Sequence, residues 1–483
     1  MLISYKYNNF LSFRQEAEFT MLAPSSKVKS RFPNNYVELE NGYQVLKDAV
    51  IVGENAGGKS NFVRSLNYFK NFFVDSDSAN VSKNTINNNN INGKCPLKSD
   101  FDQIFEMELT NKGGRIFRYL LHVDYMGIVE EKLEAKEKKT VSYKPVLHVK
   151  RSENNYECES DRDNCKLDEC KLRGVMSYQL TIPGISDEIK KMLEETIEDI
   201  NPIGLFTTKM ALLGNKLAIE FIGIVKNDIC PESVPLNYDF VLSVQKDNSD
   251  YKEILYKNEF FEIFKMVDYS ISDIKIDDEK PFMETLIYRK KKNGDTFSRK
   301  IGADSSGVRE FFAWAIQIYK VIYENKIVIA DEMDRVLNPI LSDRVITFVN
   351  SKKHFGQFIF TSHNILHLDL KNYMKEQIYF VSKDVETLES ELYSLADFPE
   401  VRYETTKIYE FYMKGILGGT ASESSPNLCV NSSFSYVVLS TLLLSSRDLT
   451  EWSLVYHNTL SYQRFYDLHS IHYDHLEGLH QLI

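Results

Sequence analysis

The chain has 483 residues, 43% hydrophobic and 26% charged, which describes a folded globular protein long enough for more than one domain. A net charge of −11 excludes a protein that coats nucleic acid through bulk positive charge, while leaving room for a local basic groove. Six scattered cysteines exclude a disulfide-stapled scaffold and predict a reducing compartment.

The N-terminus, Met1-Leu2-Ile3-Ser4-Tyr5-Lys6, lacks the form of a signal peptide. Residues 2–7 and 16–21 read as paired strands joined by Asn8-Asn9-Phe10-Leu11-Ser12-Phe13. An apolar run, Ala49-Val50-Ile51-Val52, then leads into Gly53-Glu54-Asn55-Ala56-Gly57-Gly58-Lys59-Ser60. This octet has the spacing G-x-x-x-x-G-K-S of a phosphate-binding loop. A helix opens at Asn61 and runs to about residue 74, so strand, loop and helix stand in the order the chemistry needs. Glycines let backbone N–H groups turn inward around phosphates, and the helix N-terminus adds partial positive charge. The candidate ATP-binding set is therefore Gly53, Glu54, Asn55, Ala56, Gly57, Gly58, Lys59, Ser60 and Asn61. Lys59 is assigned to the β- and γ-phosphates, and the Ser60 hydroxyl to Mg²⁺.

Residues 75–100 are polar, carry Asn87-Asn88-Asn89-Asn90 and read as an exposed or disordered loop. Strands at 104–109 and 115–123 flank the hairpin signal Asn111-Lys112-Gly113-Gly114. Residues 128–182 alternate charged and β-prone pieces. Within them Cys158, Cys165 and Cys170, spaced by seven and five, lack a C-x-x-C clip and read as loop thiols rather than a zinc site. Residues 185–270 read as mainly helical, with Ser186 as N-cap of a helix over 187–199. Strands at 284–290 and 296–301 flank Asn293-Gly294. The run Arg289-Lys290-Lys291-Lys292, with Arg299 and Lys300, reads as a solvated hairpin, the alternative being contact with a nucleic-acid backbone.

From residue 307 a helix to 323, a strand at 326–330, a helix at 339–349 and strands at 357–361 and 377–382 predict a parallel α/β sheet. Ile327-Val328-Ile329-Ala330-Asp331-Glu332 is a buried strand that delivers two carboxylates at its C-terminal edge, where ligands sit in open α/β sheets. Asp331 is the candidate Mg²⁺ holder and Glu332 the candidate general base. Phe358-Ile359-Phe360-Thr361-Ser362-His363 repeats the pattern and places His363 as a catalytic candidate near the γ-phosphate. Asp304-Ser305-Ser306-Gly307 opens the 307–323 helix, either as an anion site or as an ordinary N-cap.

In this order, the four signals resemble the head of an ATP-binding-cassette type ATPase, the class that includes SMC and RecF-like proteins. Asn9-Phe10-Leu11-Ser12-Phe13 is similar to the opening of RecF-like and OLD-like ATPases. Asp304-Ser305-Ser306-Gly307 resembles the E-S-x-G signature of prokaryotic AAA-15/AAA-21 ATPases. Asp331-Glu332-Met333-Asp334-Arg335-Val336-Leu337-Asn338-Pro339 resembles their D-E-h-D-x-x-L-H-P pattern. Ser390-Glu391-Leu392-Tyr393-Ser394-Leu395 and Phe411-Tyr412-Met413-Lys414-Gly415-Ile416-Leu417-Gly418-Gly419 resemble their closing segments. Two departures stand out: Asn338 replaces a frequent histidine, and no clear Q-loop glutamine is present, Gln103 being nearest.

The resemblance implies an α/β P-loop NTPase with an ABC/SMC-like head, a mixed sheet with an antiparallel β subdomain, and an inserted α+β lobe. The expected division is 1–100 and 301–420 for the two halves of the head, 101–300 for the β subdomain and inserted lobe, and 421–483 for a tail. It further implies a homodimeric ATP sandwich, in which Ser305 and Gly307 of one protomer complete the site of the other. A separate nuclease or toxin effector is the implied partner, in the manner of abortive-infection and anti-phage ATPases.

The tail changes character: no lysine follows Lys414, and five of ten histidines (His457, His469, His472, His475, His480) fall there. It reads as an atypical extension. Its longest apolar stretch, 434–444, contains Ser435, Ser440 and Thr441 and falls short of the ~20 residues that span a bilayer. The sequence thus predicts a cytoplasmic ATPase acting as a defence switch. The rival readings are a RecF-like factor that clamps DNA and an ATP-binding scaffold with negligible hydrolysis.

Overall fold

Buried and part-exposed residues alternate along the first strands, as they do in a sheet with one face in the core. β1 (Leu2–Tyr7) and β2 (Ala17–Thr20) pair antiparallel, with Tyr5 opposite Phe19. A short ribbon of β3 (Tyr36–Glu38) and β4 (Gln44–Leu46) precedes β5 (Asp48–Gly53), which is buried at every residue. Helix α1 (Lys59–Val74) follows. A meander continues through β6 (Gln103–Thr110), β7 (Ile116–Asp124), β8 (Gly127–Lys136) and β9 (Lys144–Arg151). A ribbon of β10 (Tyr156–Cys158) and β11 (Leu172–Gly174) comes before β12 (Tyr178–Thr181).

Next come α2 (Asp187–Leu193), α3 (Phe206–Leu212), α4 (Lys216–Asp228), β13 (Ile229–Glu232) and α5 (Asn258–Phe264). β14 (Ile271–Lys275), β15 (Leu286–Lys290) and β16 (Thr296–Lys300) form a three-stranded sheet. The chain continues through α6 (Ser306–Glu324), β17 (Ile327–Ala330), α7 (Pro339–Ser351), β18 (Gln357–Ser362), β19 (Ile378–Lys383), β20 (Ser390–Ser394) and α8 (Ile408–Met413).

This computed structural model describes residues 1–25, 27–74, 102–124, 127–152, 156–158, 172–174, 177–193, 204–232, 253–276, 284–333, 339–403 and 406–418. The chain divides into Met1–Ala421 and Ser422–Ile483, and the second unit lies outside the described residues. So do the expected loop 75–100, Cys165, Cys170 and Asn338.

Two large sheets organise the first unit. One is antiparallel with order β12-β9-β8-β7-β6-β1-β2; the other has order β13-β17-β18-β5-β19-β20 and is parallel except at β20. Side-chain alternation splits the parallel sheet between two cores. Ala49, Ile51, Ile327, Ile329 and Ile359 face α1 and the antiparallel sheet, where Phe69 meets Tyr5, Phe105 and Tyr119. Val50, Val52, Val328, Ala330, Phe358 and Phe360 face the opposite core, which holds Phe260 of α5, Phe312 and Trp314 of α6 and Val345 of α7. A strand buried on both faces must be apolar throughout, and that is why these strands were legible.

The described part of 185–270 is mainly helical, as the sequence predicts, with one strand it does not announce: β13 follows α4 directly and pairs parallel with β17 at the sheet edge. The edge tolerates Pro231, which lacks an N–H for the ladder. Cys158 is not in a loop; it closes β10, opposite Leu172.

Candidate nucleotide-binding site

The 53–60 loop leaves the C-terminal end of β5 and turns directly into α1. Its glycines are required by what surrounds them. A Cβ on Gly53 would sit 2.3 Å from the Val381 carbonyl oxygen of neighbouring β19. Gly58 has φ +124°, a conformation L side chains rarely adopt, and a Cβ there would lie 2.6 Å from Ser390 Oγ. The crest residues Asn55 and Ala56 are exposed, with Ala56 at φ 61°. Lys59 is buried, and its ammonium donates to the carbonyl oxygens of Gly53 and Glu54, each at 2.8 Å. Ser60 is half-buried in the first turn of α1. Asn61 ties the loop backward, its amide donating to Ser12 Oγ at 2.8 Å.

Ser12 and Ser390, absent from the sequence-level site, brace the loop from behind. Ser390 Oγ lies 2.7 Å from Ser12 Oγ and 2.5 Å from the Gly57 carbonyl oxygen. Ser390 N–H also donates to the Ser12 carbonyl at 2.7 Å. Ser12 belongs to the joint between the first two strands and Ser390 to a closing segment, and both segments carry the family resemblance. Gln103 does not face this loop: its amide donates to the Asn9 carbonyl at 2.8 Å and its oxygen accepts from Tyr68.

Asp331 follows the last residue of β17 and is 4% exposed. The Thr361 hydroxyl donates to its Oδ1 at 2.5 Å, and Thr361 Oγ1 accepts the Glu332 N–H at 2.8 Å. Glu332 is held at φ 52°, a left-handed conformation that costs a non-glycine residue about 1–2 kcal/mol. By sequence Thr361 is only a strand residue, since a β-branched side chain in a strand carries no further signal. His363 is exposed, just past the end of β18.

Topology unites these pieces. β18 lies between β17 and β5, all three parallel. The 53–60 loop, His363 and the Asp331-Glu332 pair therefore leave the same edge of the sheet from three adjacent strands. At about 4.8 Å per strand, the loop strand and the acid strand are ~10 Å apart.

Ser305 and Gly307 stand elsewhere. Ser305 is exposed and caps α6, its hydroxyl accepting the Val308 N–H at 3.4 Å. Among the described residues, no hydrogen bond joins Ser305 or Gly307 to the 53–60 loop. α6 runs antiparallel to the strands it covers: Val321 abuts Gly356 just before β18, while Trp314 packs on Phe358 further along the strand. From Val321 back to Ser306 is about 22 Å along the helix, against about 20 Å for the six residues of β18, so its N-terminus lies at the C-terminal edge of the sheet.

A family model described as "AAA domain, putative AbiEii toxin, Type IV TA system" matches residues 49–369, from β5 to beyond His363. The chain belongs to this family. As an AAA_21 protein it carries a nucleotide-binding ATPase domain, built here as a P-loop α/β head with mixed sheets. Solved structures that match include the SMC head domain from Thermotoga maritima, at 13% identity over 81% of this chain and 98% of that chain, TM-score 0.37. The SmcHead bound to the C-winged helix domain of ScpA matches at 15% identity over 81% and 97%, TM-score 0.40. The Smc head domain with an extended coiled coil, bound to the C-terminal domain of ScpA derived from Pyrococcus furiosus, matches at 14% over 81% and 96%, TM-score 0.36. No curated protein matches the chain. Among the described residues, no helix is long and apolar enough to cross a membrane.

Proposed function

We propose that this AAA_21 chain hydrolyses ATP and acts as a nucleotide-driven switch in the cytoplasm, serving a prokaryotic defence system with a separate nuclease or toxin effector. One observation carries the enzymatic part of the reading: three adjacent parallel strands deliver the 53–60 loop, His363 and Asp331-Glu332 to a single sheet edge.

The backbone N–H groups of the loop and the N-terminus of α1 cradle the phosphates, and Lys59 supplies a cation to the β- and γ-phosphates. The residues present fit a magnesium ion. Asp331 is buried with one carboxylate oxygen oriented by Thr361, and Ser60 opens α1 on the adjoining loop. Among the described residues no cluster of three or more His, Cys, Asp or Glu is placed to hold a metal. Ser60 and Asp331 would therefore share the ion with phosphate oxygens and water, the usual arrangement for Mg²⁺. When bound, the ion draws charge from the phosphate oxygens. Glu332 takes the proton from the attacking water, and His363 hydrogen-bonds the γ-phosphate oxygen.

The N-terminus of α6 at this edge supports a head-to-head dimer in which Ser305 and Gly307 of one protomer close the site of the other. Nucleotide then joins two heads, and hydrolysis loosens them. The four-part division made from the sequence is kept as part of this reading, with mechanical output through 101–300. A DNA-clamping role is the second reading, favoured by the exposed basic residues Lys290, Lys291, Lys292, Arg299 and Lys300.

The test is steady-state ATP turnover with Glu332→Gln. Loss of the base lowers kcat by about 100-fold or more, while ATP still drives dimerisation, seen by light scattering. Purified protein that neither binds nor turns over ATP ends this reading. Turnover untouched in Glu332→Gln supports the scaffold alternative.

A further inference from the structure

Arg289 stands apart from the basic run to which it belongs. Lys290, Lys291, Lys292 and all of β16 are exposed, whereas Arg289 is 7% exposed. Its guanidinium lies between two carboxylates. Nε donates to Asp268 Oδ2 at 2.8 Å, and Nη1 is 2.8 Å from Asp304 Oδ2. The solvated-hairpin reading of this run therefore fails at its first residue.

The two carboxylates are themselves fixed. Asp268 Oδ1 accepts from both the N–H and the hydroxyl of Ser270. The Asp304 side chain is 5% exposed, and its Oδ1 accepts the Ser305 N–H at 2.9 Å. Arg289 is paired in the middle of its sheet, opposite Ile271 on β14 and Phe297 on β16. The sheet is thus linked to the residue immediately before the 305–307 turn through one guanidinium, which hydrogen-bonds Asp268 and forms a close ion pair with Asp304. Arg309, one turn into α6, adds a second tie by donating to the Gly302 carbonyl at 3.2 Å.

Capping does not account for this arrangement. Ser305 already caps α6 with its own hydroxyl, and Asp304 is turned back from the helix toward Arg289. An unpaired Asp304 carboxylate beside the turn would repel a phosphate. Arg289 neutralises that charge and holds it in place.

We propose that Arg289 is a positioning residue for the nucleotide site of the opposite protomer: through Asp304 it sets the 305–307 turn that closes the partner's site. It does not act on the 53–60 loop of its own chain. The proposal rests on the head-to-head dimer proposed above, and its test separates the two.

Arg289→Met is purified, and labelled ATP reports on its own 53–60 loop. Affinity stays within about twofold of wild type, while turnover falls at least about tenfold. Arg289→Lys, which keeps the charge but not the fork, recovers part of the loss. The deciding assay mixes Arg289→Met with Lys59→Ala, each expected to retain about a tenth of wild-type turnover or less alone. A heterodimer has one site built from an intact loop and an intact turn. Random pairing therefore restores about a quarter of wild-type turnover. A mixture of Ser305→Arg with Lys59→Ala is the control.

If the control pair is restored and the Arg289 pair is not, the proposal is wrong and the dimer stands. If neither pair is restored, or wild type turns over no ATP, the dimer reading falls and takes the proposal with it. Wild-type turnover by Arg289→Met also overturns it. Should Arg289→Met fail to fold, Asp304→Asn, which keeps the acceptor for Ser305 N–H, replaces it in the same mixture with the same outcomes.

Discussion

Thr361 donates its hydroxyl to Asp331 Oδ1 at 2.5 Å, and its oxygen accepts the N–H of Glu332 at 2.8 Å. One side chain on β18 thus orients both acids at the end of β17. Thr361→Val keeps the shape and removes both bonds. It removes the Thr361 acceptor of the Glu332 N–H, at a residue held in a strained φ, and the donor that orients the Asp331 carboxylate. Turnover is expected to fall about 10–100-fold, with about 1–3 kcal/mol lost from stability. Thr361→Ser restores most of both. ATPase kinetics and urea unfolding check this, and an unimpaired Thr361→Val rules out the role.

Gly53→Ala tests the approach of β5 to β19. The added methyl meets the Val381 carbonyl at 2.3 Å, and that oxygen cannot retreat without distorting the parallel pairing of Val381 with Gly53. A loss of about 3 kcal/mol or more is expected, or failure to fold. The readout is thermal unfolding. A melting temperature near that of wild type contradicts the packing.

Ser390→Ala removes the hydroxyl that braces Gly57 and Ser12. The cost of about 1 kcal/mol falls on the loop that receives phosphate rather than on the acids. KM for ATP should therefore rise about fivefold with kcat little changed. Ser12→Ala should behave alike. A loss confined to kcat would place the serines in the wrong part of the site.

Stability should carry two opposed pH dependences. Burial pushes the Asp48 carboxyl up to about 7. Its Oδ1 accepts from Gln377 at 2.7 Å, while Oδ2 is buried without a hydrogen bond of good geometry among the described residues. Between pH 4 and 7 the folded state holds a proton that the unfolded chain has released, so this contribution is full at the acid end and lost as pH rises through 7. Burial lowers the His354 imidazole to about 4, partly offset by its bond to the Val349 carbonyl. There the unfolded chain binds the proton first, so stability is full above about 6.5 and lost as pH falls toward 4. Measured as differences from wild type, Asp48→Asn should gain about 4 kcal/mol from pH 4 to 7. His354→Gln should lose about 3 kcal/mol relative to wild type over pH 4 to 6.5. Denaturant midpoints across pH settle both, and parallel curves for all three proteins refute the account.

The parts of the site that were legible are local in the chain. β5, the 53–60 loop and the start of α1 are contiguous, so spacing alone conveys a turn that exposes N–H groups. An apolar run ending in Asp331 and Glu332 likewise announces a buried strand with acids at its mouth. β13 escaped because no turn residue separates it from α4 and four residues are too few to show a period. Arg289 escaped because its partners, Asp268 and Asp304, come from other segments, and a run of basic residues looks solvated from within.

By itself the sequence determined which groups this protein has for phosphate and water, because helix and strand periods and loop spacings are properties of neighbouring residues. Only the tertiary structure decided that β18 lies between β5 and β17, which brings residues some 270 positions apart to one edge. It also decided that Thr361, Ser12 and Ser390 hold those groups, and that Arg289 turns inward. Hydrogen bonds and ion pairs between distant segments depend on strand order and burial, and no local pattern of side chains encodes either.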